Sequence, residues 1–288
     1  MISIIITAFK EPKTILKAIK SILANDIKEK KEIIVVAPDN ETLNAAKKYK
    51  EVRLVKDKGE GKPSALNLAV KKARGSIIVL TDGDVYISNN ALPHLLEPFN
   101  QAKIGAVTGN PVSTNQPDNK YGYWAYVLTN IANQRRLKAL EWGRRFFCSG
   151  YLFAIRKKLF PKLKREVLSE DGFISHNVYE KGYKIEYSPN SEVYVKYPDN
   201  FKDWILQKKR SAGGYNQIKS MIGVEIRSFK KESSGALDFF RYVSNIKEFV
   251  WTINLFLARL YLWFVIYRDI DLKQKSHKEI WKRVESTK

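Results

Sequence analysis

The sequence predicts an α/β protein: a doubly wound, mostly parallel sheet flanked by helices, with an amphipathic and apolar helical appendage at its carboxyl end. Three observations lead there. Short runs rich in Ile and Val alternate with helix-period segments through residues 3–84, the pattern of βαβ units. One such run, Ile77-Ile78-Val79-Leu80-Thr81, ends in Asp82-Gly83-Asp84, and carboxylates at the end of a buried parallel strand lie where open α/β sheets bind ligands. The last part of the chain changes character, with an almost unbroken apolar stretch over residues 249–267.

Residues 3–8 form the first strand, and Lys10-Glu11-Pro12 turns the chain into a helix over 14–23, where Ile15, Leu16, Ile19, Ile22 and Leu23 recur at helical spacing. Residues 32–37 are a second buried strand ended by Pro38-Asp39-Asn40, followed by a short helix at 41–49 and a third strand at 52–56. Gly59-Glu60-Gly61-Lys62-Pro63 is a flexible basic loop before a helix at 64–73, and the strand with the Asp pair follows. Further on, the pattern gives a strand at 104–112, a helix at 121–140, an apolar segment at 146–155 and a helix opening at Ser169-Glu170-Asp171-Gly172. Two short strands at 184–187 and 192–196 and a basic helix at 201–214 complete a domain over 1–220, with halves at about 1–110 and 111–220. Residues 221–288 form a separate helical region.

At 288 residues and 44% hydrophobic content the chain supports a sizeable core, which excludes disorder. The single cysteine, Cys148, excludes an internal disulfide framework, fits a reducing compartment, and reads as a packed residue rather than a nucleophile. His94, His176 and His277 are too scattered for a metal set. The apolar start lacks a basic leader and reads as a strand, not a signal peptide. A formal charge of +21 predicts an anionic partner: nucleic acid, lipid headgroups or a phosphorylated substrate. The Asp-Gly-Asp triplet alone fits two readings, a Mg²⁺ or Mn²⁺ site beside a diphosphate, and a turn that merely reverses the chain.

The order of short motifs adds a resemblance. Thr7-Ala8-Phe9 with Glu11 comes first, then Ile34-Val35-Val36 ending near Asp39, then Gly61-Lys62 before Ala65-Leu66-Asn67, then Asp82-Gly83-Asp84. Ser149-Gly150, Glu170-Asp171-Gly172 and Gln207-Lys208-Lys209-Arg210 follow. From Ser3 to about Gln217 the chain resembles the family 2 glycosyltransferases. That resemblance implies the GT-A fold and an inverting transfer of a sugar from a nucleotide sugar, UDP-linked by family prior, with Mn²⁺ or Mg²⁺ as cofactor. It implies that Asp84 ligates the metal, with Asp82 beside it or beside the ribose. Thr7, Ala8, Glu11, Asp39, Lys62, Gln207 and Arg210 then form the donor site, with Lys62 and Arg210 toward the diphosphate. Asp171 is the implied base and Glu170 its neighbour that orients it or the acceptor. This scheme requires the Asp82-Gly83-Asp84 turn and Asp171 to share one cleft.

Plainer readings compete at each position: a solvated loop charge for Lys62, a turn former for Asp39, and acids that favour a helix amino terminus for Glu170 and Asp171. Two departures from the family pattern matter. Ala37-Pro38 displaces Asp39 from its strand, and Ser211 stands where processive members carry Trp after the Gln-x-x-Arg element, which favours single addition over processive polysaccharide synthesis. A sugar-phosphate nucleotidyltransferase would need a glycine-rich, arginine-bearing loop after the first strand, which Thr7-Ala8-Phe9-Lys10-Glu11-Pro12 is not. A basic nucleic-acid-binding protein fits the charge and aromatics, but acids at ligand-binding strand ends repel phosphate, so no nucleic acid is expected.

Residues 249–267 approach the ~20 residues that span a bilayer, with Arg259 near the middle. Arg241, Asn245, Glu248, Thr252 and Arg259 fall on one helical stripe, opposite Phe239, Val243, Ile246, Val250, Ile253, Leu257 and Phe264, although Lys247, Asn254 and Arg268 interrupt the apolar side. Such a helix suits the membrane interface, and Trp251, Tyr261, Trp263 and Tyr267 suit a headgroup boundary. Packing on the domain or on a second copy is the alternative. With the basic tail Lys273-Gln274-Lys275-Ser276-His277-Lys278, the expectation is an anionic membrane surface at the cytoplasmic face, peripheral or single-span, bringing the site to a lipid-linked or glycan acceptor whose receiving group is a hydroxyl or a lipid phosphate such as a polyprenyl phosphate. Oligomeric state is left open.

Overall fold

The computed structural model describes residues 1–223, 236–272 and 284–287. The chain divides into two compact units: Met1–Val112, Arg135–Arg165 and Glu170–Val195 form the first, and Ser113–Gln134, Glu166–Ser169 and Lys196–Lys288 the second.

The first unit is built on an eight-stranded sheet. In chain order it uses β1 (Ile2–Thr7), α1 (Ile15–Leu23), β2 (Lys31–Ala37), α2 (Asn40–Ala46), β3 (Val52–Lys56), α3 (Lys62–Lys72), β4 (Ile77–Asp82), β5 (Tyr86–Ile87), α4 (Ala91–Leu96) and β6 (Ile104–Ser113). A long helix, α5 (Lys120–Glu141), begins in the second unit and ends in the first, before β7 (Leu152–Arg156), α6 (Glu170–Glu180) and β8 (Lys184–Val195). The strand order is β3-β2-β1-β4-β7-β6-β8-β5. β3, β2, β1 and β4 run parallel. β7 lies antiparallel between β4 and β6, and β5 antiparallel on β8.

All six residues of β1 are buried, as a central parallel strand covered on both faces requires. Its register sets Thr7 opposite both Val36 and Asp82, while Ala37 pairs with Lys56. The four parallel strands therefore end level, along one edge. Ile5, Ile34, Ile78 and Leu80 share a core with Leu66 and Ala69 of α3 and with Ile174 and Val178 of α6. That core anchors the two helices whose first residues are Lys62 and Glu170.

Where the sequence pattern predicts two short strands, the structure has one, β8, running through Ser188-Pro189-Asn190-Ser191. Pro189 breaks the pattern without breaking the strand because β5 pairs only with Val193 and Tyr194, so no ladder partner on that side needs its missing N–H. The hydroxyls of Ser188 and Ser191 hydrogen-bond at 2.7 Å, and the Asn110 amide donates to the Pro189 carbonyl at 3.4 Å.

The second unit contains the start of α5, α7 (Phe201–Ile222), a 3₁₀ segment at Ala236–Tyr242, α8 (Ile246–Ile266) and a π-helical turn at Tyr267–Leu272. Tyr123, Trp124 and Ile131 of α5 pack with Trp204 of α7, Phe239, and Leu255, Ala258 and Leu262 of α8. The Trp124 indole donates to the Trp251 carbonyl at 2.8 Å, and the Tyr123 and Thr252 hydroxyls lie 2.9 Å apart. Lys209 reaches the buried Asp269 carboxylate at 2.5 Å. A boundary at 220 divides the chain differently from these units, because α7 shares its core with α8.

The helical stripe predicted across 239–264 does not exist as one surface. Asn245 caps α8, its side chain accepting from Glu248 N–H, and Glu248 reaches back to Ser244 N–H at 2.8 Å. Phe239 and Arg241 thus belong to a separate 3₁₀ segment, and Phe239 is buried rather than part of an outer face. Thr252, assigned to the polar stripe, is fully buried against Tyr123. Ile246, Val250, Ile253, Leu257 and Phe264 are exposed, as the apolar side of that stripe. The Lys273–Lys278 tail, including His277, lies outside the described residues.

Candidate active site

The level ends of the parallel strands and the first turns of α3 and α6 meet in one small cleft of the first unit. It is lined by Thr7, Lys62, Thr81, Asp82, Gly150 and Glu170, with Leu66, Leu80 and Phe153 beneath. The Thr7 hydroxyl donates to Asp82 Oδ1 at 2.7 Å, a contact that follows from their pairing across β1 and β4. Lys62 Nζ lies 2.7 Å from the same Asp82 oxygen and 2.9 Å from Glu170 Oε1. Burial works against the Lys62 charge, but the two carboxylates prevail and hold its ammonium above the ordinary lysine range. Gly61, at φ 96°, lets the loop enter α3 so that Lys62 stands at its start.

Asp171 sits beside this bridge. Its Oδ2 accepts the Gly150 N–H at 3.0 Å and its Oδ1 the Gly172 N–H at 2.8 Å. The Ser149-Gly150 segment is fixed in turn by Ser149 N–H donating to the buried Thr108 hydroxyl at 2.9 Å. Asp82 of the sheet-edge pair and Glu170 of the α6 pair therefore line one cleft, joined by Lys62, and Asp171 is held on its Gly150 side.

Gly83 explains why the triplet needs a glycine. A Cβ there would stand 2.6 Å from Glu11 Oε2 and 2.8 Å from Ala8 Cβ. The turn is packed directly on the Thr7-Ala8-Glu11 loop, with Glu11 buried. Gly83→Ala is expected to lower stability by ~1–3 kcal/mol through overpacking, read as a drop in the thermal unfolding midpoint. An unchanged midpoint would show that the loop yields freely.

Asp39 has a structural task. It caps α2, its Oδ1 accepting Thr42 N–H at 2.9 Å, and its Oδ2 accepts Lys10 N–H at 2.8 Å. That second bond holds Lys10 in the left-handed region, at φ 55°. Burial pushes its carboxyl up, but the hydrogen bonds from Thr42 and Lys10 win and hold it below the usual carboxylate range. Nearby Asp57, at the end of β3, is a residue sequence reasoning missed. Burial raises its carboxyl and the Asp39 charge adds to the rise, although Gly59 N–H donates to it at 2.6 Å. Its signal was available: like Asp82, it is an acid at the carboxyl end of a strand.

Gln207 and Arg210 lie on α7 in the second unit. Cys148 is buried, and burial pushes its thiol up to about 12, which removes it as a nucleophile. Among the described residues no three His, Cys, Asp or Glu side chains form a metal cluster. Mg²⁺-type ions are commonly held by one or two carboxylates plus substrate phosphates, and the Asp82-Gly83-Asp84 turn offers that donor set. Within it, Asp82 Oδ1 is engaged by Thr7 and Lys62.

The sequence model of the family described as Glycosyl transferase family 2 matches residues 3–164. The chain belongs to this family. It is 26% identical over 230 residues to the poly-beta-1,6-N-acetyl-D-glucosamine synthase of Staphylococcus aureus (strain COL), covering 75% of this chain and 55% of the synthase. The chain thus spans about half the length of the curated relatives it matches. Among solved structures, the mannosyltransferase PcManGT from Pyrobaculum calidifontis, in complex with GDP-Man and Mn²⁺, superposes with a TM-score of 0.59 at 21% identity, covering 74% of this chain and 61% of that one. GalNAc-T7 with UDP, GalNAc and Mn²⁺ gives 0.54 at 15% identity, covering 83% and 54%. These likenesses speak to the fold, which is the GT-A fold of a family 2 glycosyltransferase.

Proposed function

We propose that this glycosyltransferase moves one sugar from a nucleotide sugar to an acceptor hydroxyl by an inverting single displacement at a membrane surface. The meeting of Asp82, Lys62 and Glu170 in one cleft, with Asp171 bound to its Gly150 wall, supports this reading most directly. Asp171 takes the proton of the acceptor hydroxyl as that oxygen attacks the anomeric carbon, and the bond from that carbon to the diphosphate breaks with its electron pair leaving on phosphate oxygen. Lys62, held charged, lies where a departing diphosphate gains negative charge. For the diphosphate to reach its ammonium, Lys62 exchanges one of its carboxylate partners. Asp84, with Asp82 beside it, would hold Mn²⁺ or Mg²⁺, which when bound neutralises charge on the leaving diphosphate. Asp39 and Asp57 flank the nucleoside end of the strand edge.

The relative from S. aureus is named as a polymer synthase, while Ser211 in place of Trp supports single addition here. The neighbours contain GDP-Man in one case and UDP in the other; family prior favours UDP for this chain. The deciding experiment is a panel of nucleotide sugars tested for binding and slow hydrolysis with and without Mn²⁺. One donor bound in a Mn²⁺-dependent manner is expected, and binding of none overturns the reading. Product length on an acceptor separates one addition from many.

Membrane association at the cytoplasmic face, bringing the site to a lipid-linked or glycan acceptor, rests on α8. The segment Ile246–Asp269 is long and apolar enough to cross a membrane, yet Thr252, Leu255, Ala258 and Leu262 are buried within the second unit. Leu257, Leu260 and Phe264 are each more than half exposed, at 59%, 55% and 60%. A helix packed on one face and apolar on the other suits the plane of the interface. The double variant Leu260→Asp/Phe264→Asp should lose most co-sedimentation with anionic liposomes at moderate salt. Undiminished binding, or no binding by the parent protein, overturns this part.

A further inference from the structure

A cavity of the second unit is distinct from the cleft of acids. It has a volume of about 340 Å³, within the size range of small-molecule sites, and is open to solvent. Trp124 and Lys120 of α5, Phe201 of α7, and Asn254, Leu257 and Tyr261 of α8 line it. Its aromatic walls are braced. The Phe201 ring stacks on Trp204 with an interplanar angle of 10°, leans on Tyr261 at 5.9 Å, and Trp124 meets Trp204 edge-on at 5.3 Å.

Lys120 is the one charged group in the lining. Its ammonium lies 4.8 Å from the Tyr121 ring and 5.6 Å from Trp124, and among the described residues no carboxylate pairs with it. A cation over aromatic rings, with an apolar trough beside it, matches an amphiphile with an anionic head and a hydrocarbon tail. The trough opens onto solvent through Leu257 and Tyr261, both about half exposed, and these continue the exposed apolar row of Val250, Ile253, Leu260 and Phe264 on α8. No Asp or Glu occurs from Phe249 to Tyr267. A second copy of this chain is a poor occupant by charge, because each copy carries +21.

We infer that this groove binds one anionic phospholipid of the membrane, its phosphate on Lys120 and an acyl chain between the Trp124–Phe201 wall and the Leu257–Tyr261 wall. This rests on the membrane reading above and goes beyond it by naming a stoichiometric lipid site. The bound lipid adds a specific attachment to the non-specific adhesion of the α8 face and fixes the rotation of α8 on the bilayer.

The test uses dihexanoyl phosphatidylglycerol below its micelle concentration, so that no bilayer is present, with binding followed by titration calorimetry and counted by native mass spectrometry. Saturable binding of one molecule is expected, at least ten-fold tighter than for dihexanoyl phosphatidylcholine. Lys120→Glu should weaken it ten-fold or more. Asn254→Phe, which fills the trough with a ring and leaves Lys120 in place, should abolish it; circular dichroism confirms that both variants fold. Val250→Asp, outside the groove, should keep single-lipid binding and reduce liposome co-sedimentation. Absent or non-stoichiometric binding, or equal binding by Lys120→Glu and Asn254→Phe, overturns the groove site. If liposome binding persists in those cases, the membrane reading survives by itself; if the parent protein binds neither lipid nor liposome, both fall. A dimer that dissociates in Leu257→Asp while binding no lipid would show that a second copy occupies the face.

Discussion

Asp171→Asn is expected to reduce sugar transfer by roughly 10²- to 10⁴-fold, the range for loss of a positioned general base, while donor affinity stays within about two-fold. The argument rests on where the carboxylate is held. Asp171 Oδ2 accepts from Gly150 N–H and Oδ1 from Gly172 N–H, bonds that orient the group. Asparagine keeps the shape, retains one of these bonds through its carbonyl oxygen, and removes the basicity. Donor contacts are assigned to other residues, so retained donor binding also proves the variant folded. Glu170→Gln should act differently. It weakens the Lys62 bridge and shifts donor affinity along with turnover. Kinetics with saturating donor separate the two, and equal turnover by Asp171→Asn and the parent enzyme defeats the base assignment.

Much of this architecture was legible because its determinants are local. Continuous Ile/Val runs give buried parallel strands, and the strand at 52–56 lies where its sequence places it. The Asp-Gly-Asp turn was visible because its acids interrupt an apolar run. The bond that organises the cleft was not, because Lys62 and Glu170 are brought together by packing of α3 and α6 on one core, which no short window reports. Asp57 shows the opposite failure, a local signal passed over because the motif order drew attention to Asp39. α8 was misread for a third reason. A helix apolar on nearly all sides has no clear inner face by periodicity. The choice fell to Thr252, whose hydroxyl finds Tyr123, and to Asn245, whose cap ends any continuous stripe.

Asp84→Ala is expected to abolish Mn²⁺-stimulated donor binding and to lower transfer by about 10²- to 10³-fold, the scale for removing one preorganised electrostatic contact to developing charge. Asp82 is a poorer ligand through Oδ1. Its Oδ1 already receives Thr7 Oγ1 at 2.7 Å and Lys62 Nζ at 2.7 Å, so a cation drawn to that oxygen competes with an ammonium held there. Gly83, donating its N–H to the Thr7 carbonyl at 2.8 Å, fixes the turn so that Asp84 follows at a set distance from that engaged group. Calorimetric titration of the nucleoside diphosphate with Mn²⁺ and with EDTA should show tighter binding with metal for the parent and no difference for Asp84→Ala. Asp82→Ala makes the instructive contrast. It frees Lys62 from one carboxylate and removes the acceptor of the Thr7 hydroxyl, so it should lower the unfolding midpoint as well as activity. If Mn²⁺ tightens the diphosphate on Asp84→Ala as much as on the parent, the metal lies elsewhere and the division of labour within the triplet is wrong.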